Sequence, residues 1–256
     1  MAFTPGPTRV GPALYLLGGV DLRGFPPEEA AKLLTQSKVV ALLAVLALAP
    51  AASFTRRDRI VGLLWPELDQ PHARTALRKA VHLARATLGE EVLLSRGDEE
   101  LAIAPDALWC DATDLRRSIE RGQLERAVEL YQGDLMPGFY LPECHDFDGW
   151  LESQRTSLLE DVVAATWALA KHLESGDKRT DAVRHAKKAA RLAWSDERVL
   201  RRSIEMLVRL GDRAGALRAY DDFANRLRKE LESDPSPETV RLMESIRTGT
   251  HPVQKA

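Results

Sequence analysis

Basic side chains recur at helical spacing within residues 71–88, where the residue types point to a specific chemistry. At about 100° per residue, Arg74, Arg78, His82 and Arg85 fall within about 80° of one another and form one stripe of a helix. The same segment contains four Lys or Arg residues and no Asp or Glu. Because guanidinium groups hydrogen-bond phosphate oxygens and guanine, this stripe predicts contact with the major groove of duplex DNA.

Neighbouring residues extend this candidate interface. Thr75 and Lys79 lie beside the stripe, where a hydroxyl can bond a phosphate and a threonine methyl can contact thymine. Arg56 and Arg57 open the preceding predicted helix, where free backbone amides also favour anions. We expect the groove-facing residues of the long helix to read or clamp the DNA, and Arg56, Arg57 and Arg85 to hold phosphates.

A predicted hairpin after the long helix adds a wing to the interface. Ser95 and Arg96 lie at its tip, where a wing meets the adjacent minor groove or the DNA backbone. A plainer interpretation is that the arginines form a solvated helix face, with Arg59 paired to Asp58 or Glu67 and the stripe histidine packed on the surface. The position of the helix, third in a strand–helix–helix–helix–hairpin unit, favours DNA binding over that interpretation.

The predicted elements follow the order of a winged helix-turn-helix. Two strands, in LYLLGG and VDL, meet at a tight turn, and residues 23–29 are predicted as a loop. Capping and stop signals then predict three helices, over residues 36–49 after a Thr35 cap, over 56–65 after a Thr55 hydroxyl cap, and from Asp69 or Gln70 to Leu88 before Gly89. Short strands in VLL and LAI flank the turn at residues 96–98.

Apolar positions predict which faces are buried. Leu77, Val81, Ala84 and Leu88 form a stripe next to the basic one, and we expect it to face the core. The apolar run at residues 39–49 is shorter than the about 20 residues that a membrane span needs, so it is predicted to be a buried helix. With no signal peptide recognised at the N-terminus, we expect a soluble, cytoplasmic protein without membrane contact.

The composition excludes several classes of protein. The chain has 256 residues, 36 Lys plus Arg against 38 Asp plus Glu, and 45% hydrophobic residues, which is typical of a globular protein rather than a disordered or collagen-like one. Its two cysteines, Cys110 and Cys144, are far apart and form no CxxC pair. A disulfide framework and a structural zinc site are therefore not expected.

Residues 144–146 have the types of a catalytic group but not its arrangement. Cys144, His145 and Asp146 are adjacent, and neighbouring side chains on an extended chain point to opposite sides. As a metal site, the same residues with Asp148 lack the usual paired spacing. The segment is better interpreted as an inserted polar loop, so we predict no enzyme activity, no metal and no cofactor.

A repeat appears after residue 106. GQLERAVELY, GDKRTDAVRHA and GDRAGALRAY each place a glycine five or six residues before an alanine, followed by Val or Leu and, one turn on, Tyr or Ala. The spacing of the last two is close to the 34 residues of a tetratricopeptide (TPR) helix pair. We therefore predict a mainly α protein with a small β component, divided into a disordered N-terminus (1–12), a winged helix (13–105), a TPR-like helical-repeat domain (106–247) and a disordered tail (248–256).

Four blocks of the sequence resemble a known family. They are LLAVLALAP, LLWPELDQPHARTALRKAVHLARATLG, WCDATDLRRSIERGQLERAVELYQGDLMPGF and GWLESQRTSLLE. In this order they are similar to bacterial transcriptional regulators of the SARP type, which join an OmpR/PhoB-type winged helix to a bacterial transcriptional activator domain (BTAD). The resemblance covers residues 14–246.

The resemblance implies a function and a set of partners. It implies a transcriptional activator that binds promoter DNA as a homodimer, with Arg74, Arg78 and Arg85 at the family's basic positions. Glu67, Leu68 and Asp69 match the loop that in the family touches RNA polymerase, including its sigma factor. Where the family often has Arg-Leu-Arg, this chain has Leu83-Ala84-Arg85, so the helix is less basic and Leu83 is expected to be exposed.

A second hypothesis places the function in the repeats. TPR-like arrays present a concave groove for a peptide, a protein helix or a small effector, and the winged helix would then not be a strong DNA binder. A fragment of residues 106–256 that captures a partner without DNA would support this alternative. The operator, the regulated genes and any effector are not readable from the sequence.

Overall fold

The computed structural model describes residues 11–50 and 52–250. The chain divides into two compact units, Met1–Leu158 and Leu159–Ala256. This division lies within a helix and further along the chain than the boundary predicted after residue 105. The first unit therefore contains the winged helix together with the first part of the predicted repeat domain.

The winged-helix part of the first unit has short strands around four helices. In chain order its elements are β1 (Ala13–Tyr15), β2 (Asp21–Arg23), α1 (Pro27–Leu34), α2 (Ser37–Ala47), β3 (Thr55–Arg56), α3 (Arg57–Leu64), α4 (Gln70–Leu88), β4 (Leu93–Arg96) and β5 (Glu100–Ile103). The fold is a winged helix-turn-helix, as predicted.

Packing of the winged helix follows the predicted apolar pattern. Residues 39–46 of α2 are all buried, which explains a helix that is apolar on every side. On α4, Leu77, Val81, Ala84 and Leu88 are buried as predicted, together with Ala73 and Ala80. The prediction that this apolar stripe faces the core is confirmed. Because the apolar stripe is buried, the basic stripe of α4 faces away from the core.

The wing is a three-stranded antiparallel sheet in the order β3-β5-β4. Leu93 pairs with Ile103 and Arg96 with Glu100 along the β4–β5 hairpin, and Thr55 of β3 pairs with Leu101 on the other edge of β5. The hairpin was predicted, whereas the third strand was not. This third strand links the start of α3 to the wing.

Three local predictions were wrong in this region. Residues 23–29 do not form a continuous loop, because α1 begins at Pro27, with Glu28 and Glu29 in its first turn. Thr35 is the C-cap of α1 rather than the N-cap of α2. Thr55 does not cap α3, since it is a buried residue of β3 and the N-cap position belongs to Arg56.

A second sheet joins the chain start to residues beyond the winged helix. Its order is β2-β1-β6, where β6 is Trp109–Cys110 and runs parallel to β1. The buried carboxylate of Asp111, just after β6, accepts hydrogen bonds from the backbone N–H groups of Leu16 and Leu17 at 2.9 and 3.0 Å. Burial outweighs these bonds and raises the pKa of Asp111 to about 6.

Three further helical segments complete the first unit. The last of them begins at His145, within the segment 144–148 that was predicted as an inserted polar loop. They are α5 (Asp111–Glu120), α6 (Leu124–Leu130) and the first part of α7 (His145–Ser175). Between α6 and α7, the guanidinium group of Arg155 donates to the backbone carbonyls of Leu135, Met136 and Phe139. Cys144, fully buried, donates from Sγ to the carbonyl of Leu64 at 3.5 Å. The insert is thereby held against the winged helix.

The second unit is helical and contains the second and third of the predicted repeats. After the end of α7, its elements are α8 (Arg179–Leu192), α9 (Glu197–Arg209), α10 (Arg213–Leu231) and α11 (Pro237–Thr248). Gly176 and Gly211 lie between consecutive helices, and the alanines of the repeat, Ala182 and Ala216, are fully buried. Small side chains at these positions allow the helices to pack closely, as in TPR-like arrays.

Polar contacts fix the ends of these helices. Arg209 of α9 donates to both carboxylate oxygens of Glu174 at 2.7 and 3.0 Å. Glu197, at the start of α9, accepts from the backbone N–H and hydroxyl of Ser236 and from the hydroxyl of Thr239. These contacts join α9 to α7 and α11 within the second unit.

The predicted disordered ends lie mostly outside the described residues. In the described part, Pro12 accepts from the Trp109 N–H, Thr248 belongs to α11, and Thr250 donates to the Ser245 carbonyl, so the predicted limits at residues 12 and 248 were too wide. Among residues 11–50 and 52–250, no single helix is long and apolar enough to span a membrane. The α1–α2 pair reaches that length only when taken together across a bend of 94°.

Candidate nucleic-acid interface

The helix α4 begins at a well-defined cap that sets the phase of its exposed face. The Asp69 carboxylate accepts from the His72 backbone N–H at 3.0 Å, and Pro71 occupies the first turn. With the apolar stripe buried, Arg78, Lys79 and His82 are exposed to solvent. Thr75 is also exposed, although its hydroxyl donates to the Pro71 carbonyl at 2.9 Å.

Arg74, at the start of the stripe, forms an ion pair with the preceding helix. Its Nη2 atom donates to Oδ1 of Asp58 in α3 at 2.8 Å. This bond raises the pKa of Arg74. The sequence-based alternative had paired Asp58 or Glu67 with Arg59, but Asp58 pairs with Arg74 and Glu67 with Lys38 at 2.5 Å.

Arg85, at the far end of the stripe, connects α4 to the wing. Both Nε and Nη2 donate to the carbonyl of Leu93 in β4, at 3.2 and 2.7 Å, and Nη2 also donates to the Ser95 hydroxyl at 3.1 Å. Only a quarter of its side chain is exposed. Arg85 therefore holds the wing against α4, and much of its donor capacity is used inside the protein.

Arg57 brings a third segment to the same place. Its Nη2 atom donates to the Ser95 hydroxyl at 3.3 Å, so one hydroxyl accepts from two guanidinium groups. Partial burial lowers the pKa of Arg57, Asp98 raises it, and three further guanidinium groups lower it again, those of Arg85, Arg78 and Arg74. Side chains from α3, α4 and β4 thus form one cluster. We call it the basic surface, and it consists of Arg57, Arg74, Arg78, Arg85 and Ser95.

The remaining candidates lie around the basic surface. Arg56 is exposed in β3, just before α3. The backbone N–H of Arg57 donates to the Glu99 carbonyl, so the first amide of α3 is already used by the wing and is not free for an anion. Leu83, expected to be exposed, is half-buried.

Arg96 differs from Ser95 in its contacts. Its guanidinium bonds the carboxylate of Glu100, across the hairpin, and lies 4.5 Å above the ring of Phe54. Because side chains alternate along a strand, this places Arg96 on the other face of β4 from Ser95. Arg96 nevertheless remains largely exposed at the wing.

The loop between α3 and α4 contains Glu67, Leu68 and Asp69, which were predicted to contact RNA polymerase. Leu68 is exposed, and Asp69 serves as the α4 cap. The hydrogen bond from Lys38 lowers the pKa of Glu67 despite the opposing effect of partial burial. The pKa of Asp69 is lowered by its bonds from the backbone and ring of His72.

Residues 144–148 do not assemble into a reactive site. Cys144 is buried and its pKa is raised by burial, while His145 begins α7. Asp148 accepts from the Leu141 backbone N–H at 3.3 Å. Across the described residues, 11–50 and 52–250, no group of three or more His, Cys, Asp or Glu side chains could hold a metal ion.

Comparison with known proteins identifies the family. The bacterial transcriptional activator domain (BTAD) family matches residues 111–247, more than half of the chain. The chain belongs to this family. The resemblance to SARP-type transcription regulators is thereby confirmed. A sequence comparison with curated proteins found no match.

A solved structure shares the fold of this BTAD regulator. Mycobacterium tuberculosis EmbR, in complex with a low-affinity phosphopeptide, superposes with a TM-score of 0.60 and 22% identity over 93% of the present chain. The chain spans 65% of the EmbR chain. At this identity the comparison supports the fold alone, which joins a winged helix to TPR-like repeats.

Two residues of the BTAD regulator were not predicted as important from its sequence. Asp58 appeared only as an alternative partner of Arg59, and Asp111 did not appear at all. Both act through long-range contacts, Asp58 with Arg74 and Asp111 with Leu16 and Leu17. Helical periodicity cannot reveal such pairs, because it relates only residues of the same helix.

Proposed function

We propose that this BTAD regulator binds duplex DNA sequence-specifically through α4 and activates transcription from promoters. The observation that supports the proposal best is the convergence of Arg57, Arg78 and Arg85 from two helices beside a hydroxyl of the wing. Like charges held together are unfavourable in the free protein, and a DNA phosphate would relieve their repulsion.

The residues would divide the work of binding by position. Thr75, Arg78, Lys79 and His82, which are exposed, would enter the major groove, with Arg74 at the N-terminal end of α4 that approaches bases in helix-turn-helix proteins. A second group would hold phosphates or the groove edge beside the wing: Arg56, Arg57, Arg85, Ser95 and Arg96.

Binding can be tested by fluorescence anisotropy with the full chain. The probes are a duplex selected from a randomised library and a mixed-sequence duplex, each titrated over a salt series. We expect the selected duplex to resist competition, with log affinity falling by about 0.9 per neutralised phosphate for each unit of log salt. Arg74→Ala with Arg78→Ala should abolish specific binding and keep the fold.

A matched pair of substitutions controls for loss of charge. Arg184 and Arg198 are exposed on helices of the second unit, and their double alanine variant should bind like the parent. Equal binding by the Arg74/Arg78 variant would contradict the α4 assignment. Absence of DNA binding even at low salt would instead favour the hypothesis that the helical repeats bind a protein or small effector.

Activation requires a partner beyond DNA. We propose that Glu67, Leu68 and Asp69 contact RNA polymerase, because Leu68 is an exposed apolar side chain between two carboxylates in the loop before α4. Substituting Leu68→Ser should leave DNA affinity unchanged and lower transcription in vitro from a selected-site promoter. Homodimer formation on two half-sites is part of the same proposal and is tested by the stoichiometry of the DNA complex.

A further inference from the structure

The cations of the basic surface fall into two groups according to their partners. Two of them pair with carboxylates: Arg74 is bonded to Asp58 at 2.8 Å, and Arg85, which also bonds the wing, lies 3.8 Å from Glu90. Arg57 and Arg78 bond only hydroxyl and backbone oxygens, and within the described residues no carboxylate lies within ion-pair distance of either. A cation bonded to a hydroxyl can exchange it for a phosphate, whereas one bonded to a carboxylate must first give up an ion pair.

Asp58 is positioned to act on DNA as well as on Arg74. It lies in the first turn of α3, its side chain is 45% exposed, and it opens onto the same surface as Arg74. A carboxylate at this place repels DNA phosphates as strongly as an arginine attracts them. It therefore opposes any binding mode in which phosphates approach this part of the surface.

The geometry of the pair leaves one side of Arg74 available. Asp58 accepts from Nη2, and Nε is buried without a hydrogen-bond partner in the described structure. The Nη1 amino group has no hydrogen bond within the described residues and is left to donate to a ligand while Nη2 stays bonded to Asp58. A base acceptor placed opposite Nη1 can accept from Arg74 while the ion pair stays closed.

We propose that Asp58 is a specificity-determining residue that restrains Arg74 from binding phosphates and reserves it for a base acceptor in the major groove. The inference rests on the proposed function. On mixed-sequence DNA, where phosphates dominate binding, Asp58 lowers affinity. On the correct sequence Arg74 contributes without leaving Asp58, so the difference between the two affinities is enlarged.

The test compares full-length variants on two duplexes, the one selected by the parent from a randomised library and a mixed-sequence duplex of the same length. Asp58→Asn should raise affinity for the mixed-sequence duplex by about fivefold and increase its salt slope by about 0.9, because a released Arg74 neutralises one further phosphate. Affinity for the selected duplex should change much less. Asp58→Glu, which keeps the charge, should restore discrimination.

Controls separate this role from general charge effects. Asp181→Asn removes a carboxylate from an exposed ion pair with the same 2.8 Å distance, that of Arg184 in the second unit, and should have no effect. In the Arg74→Ala background, Asp58→Asn should alter discrimination much less, because it then removes only the direct repulsion between Asp58 and the phosphates. Asp58→Ser has the same expected outcome as Asp58→Asn, so a folding defect of one variant does not decide the result.

Each outcome supports or overturns the proposal. Three outcomes would overturn it, because each would mean that Asp58 adds only bulk charge. They are an equal change of both affinities, no change in either affinity, and the same effect of Asp58→Asn with and without Arg74. Failure of the parent to prefer any sequence would overturn the proposed function, and this inference with it. Loss of discrimination in Asp58→Asn while the parent discriminates, together with a much smaller effect of the same substitution in the Arg74→Ala background, would support the proposal.

Discussion

At the scale of single residues, two arginines of the same helix have different roles. Arg85 donates three hydrogen bonds to β4, whereas Arg78 bonds weakly within α4 and faces solvent. Sequence spacing placed both in one stripe and could not distinguish them, because the carbonyl of Leu93 and the hydroxyl of Ser95 come from a different element. What each arginine contributes depends on contacts that the periodicity of a helix does not encode.

The two arginines give a matched pair for mutation. We expect Arg85→Ala to lower the free energy of unfolding by about 1–3 kcal/mol, because its bonds to Leu93 and Ser95 are charge-assisted and partly buried. Arg78→Ala, at an exposed position, should change it by about 0.5 kcal/mol or less. Urea denaturation followed by circular dichroism measures both. Equal losses would mean that Arg85 does not anchor the wing.

Asp111 predicts a pH dependence of stability. Its pKa is raised from 3.8 to about 6, so between these values the folded state binds more protons than the unfolded state. The contribution of Asp111 to the free energy of unfolding is therefore highest below about pH 4. It falls as the pH rises towards 6, by up to about 3 kcal/mol. Comparing parent and Asp111→Asn unfolding at pH 4, 5, 6 and 7 isolates the effect. Parallel pH profiles would contradict it.

At the scale of elements, prediction was accurate where the signals are local. The limits of α4 follow from Asp69 as cap, Pro71 in the first turn and Gly89 after the end. The helix α1 was missed because two prolines suggested a loop, although Pro27 at the first helical position and acidic residues after it are typical of a helix start. The strand β3 was missed because its partner, β5, lies far away in sequence.

The repeat helices allow a test of their close packing. Ala216 is fully buried in the core shared by α8, α9 and α10, whereas Ala214, two residues earlier on α10, is exposed. Ala216→Leu should destabilise the second unit by about 1–3 kcal/mol through overpacking. Ala214→Leu is the control and should be nearly neutral. Thermal unfolding compares them, and similar melting temperatures would argue against close helix contact at Ala216.

At the scale of the whole molecule, the family match and the compact units have different limits. The BTAD match begins at residue 111, but residues 111–158 belong to the compact unit of the winged helix. Asp111 bonds Leu16 and Leu17, Thr113 bonds the Ala47 carbonyl, and Cys144 bonds the Leu64 carbonyl. The limits of the family match therefore differ from those of the compact unit, because residues 111–158 are bonded to the winged helix.

A truncated chain should reveal this difference. In a fragment of residues 106–256, we expect residues 106–144 to become sensitive to protease, since their partners in β1, α2 and α3 are removed. The same residues should be protected in the full chain, and residues 200–207 should be protected in both. Limited proteolysis with mass spectrometry measures these patterns. Equal protection of residues 106–144 in both proteins would show that they fold independently.

The bonds of Arg85 to β4 also give the winged helix a fixed span. Because Arg85 bonds the wing to α4, we expect the distance between these two elements to change little when the proposed duplex binds. If the distance between α4 and the wing is constant, only duplexes whose groove widths match that distance can contact both elements. Affinity should therefore depend on local groove width as well as on the bases. We therefore expect base pairs that neither α4 nor the wing touches to influence affinity through the stiffness of the duplex between them.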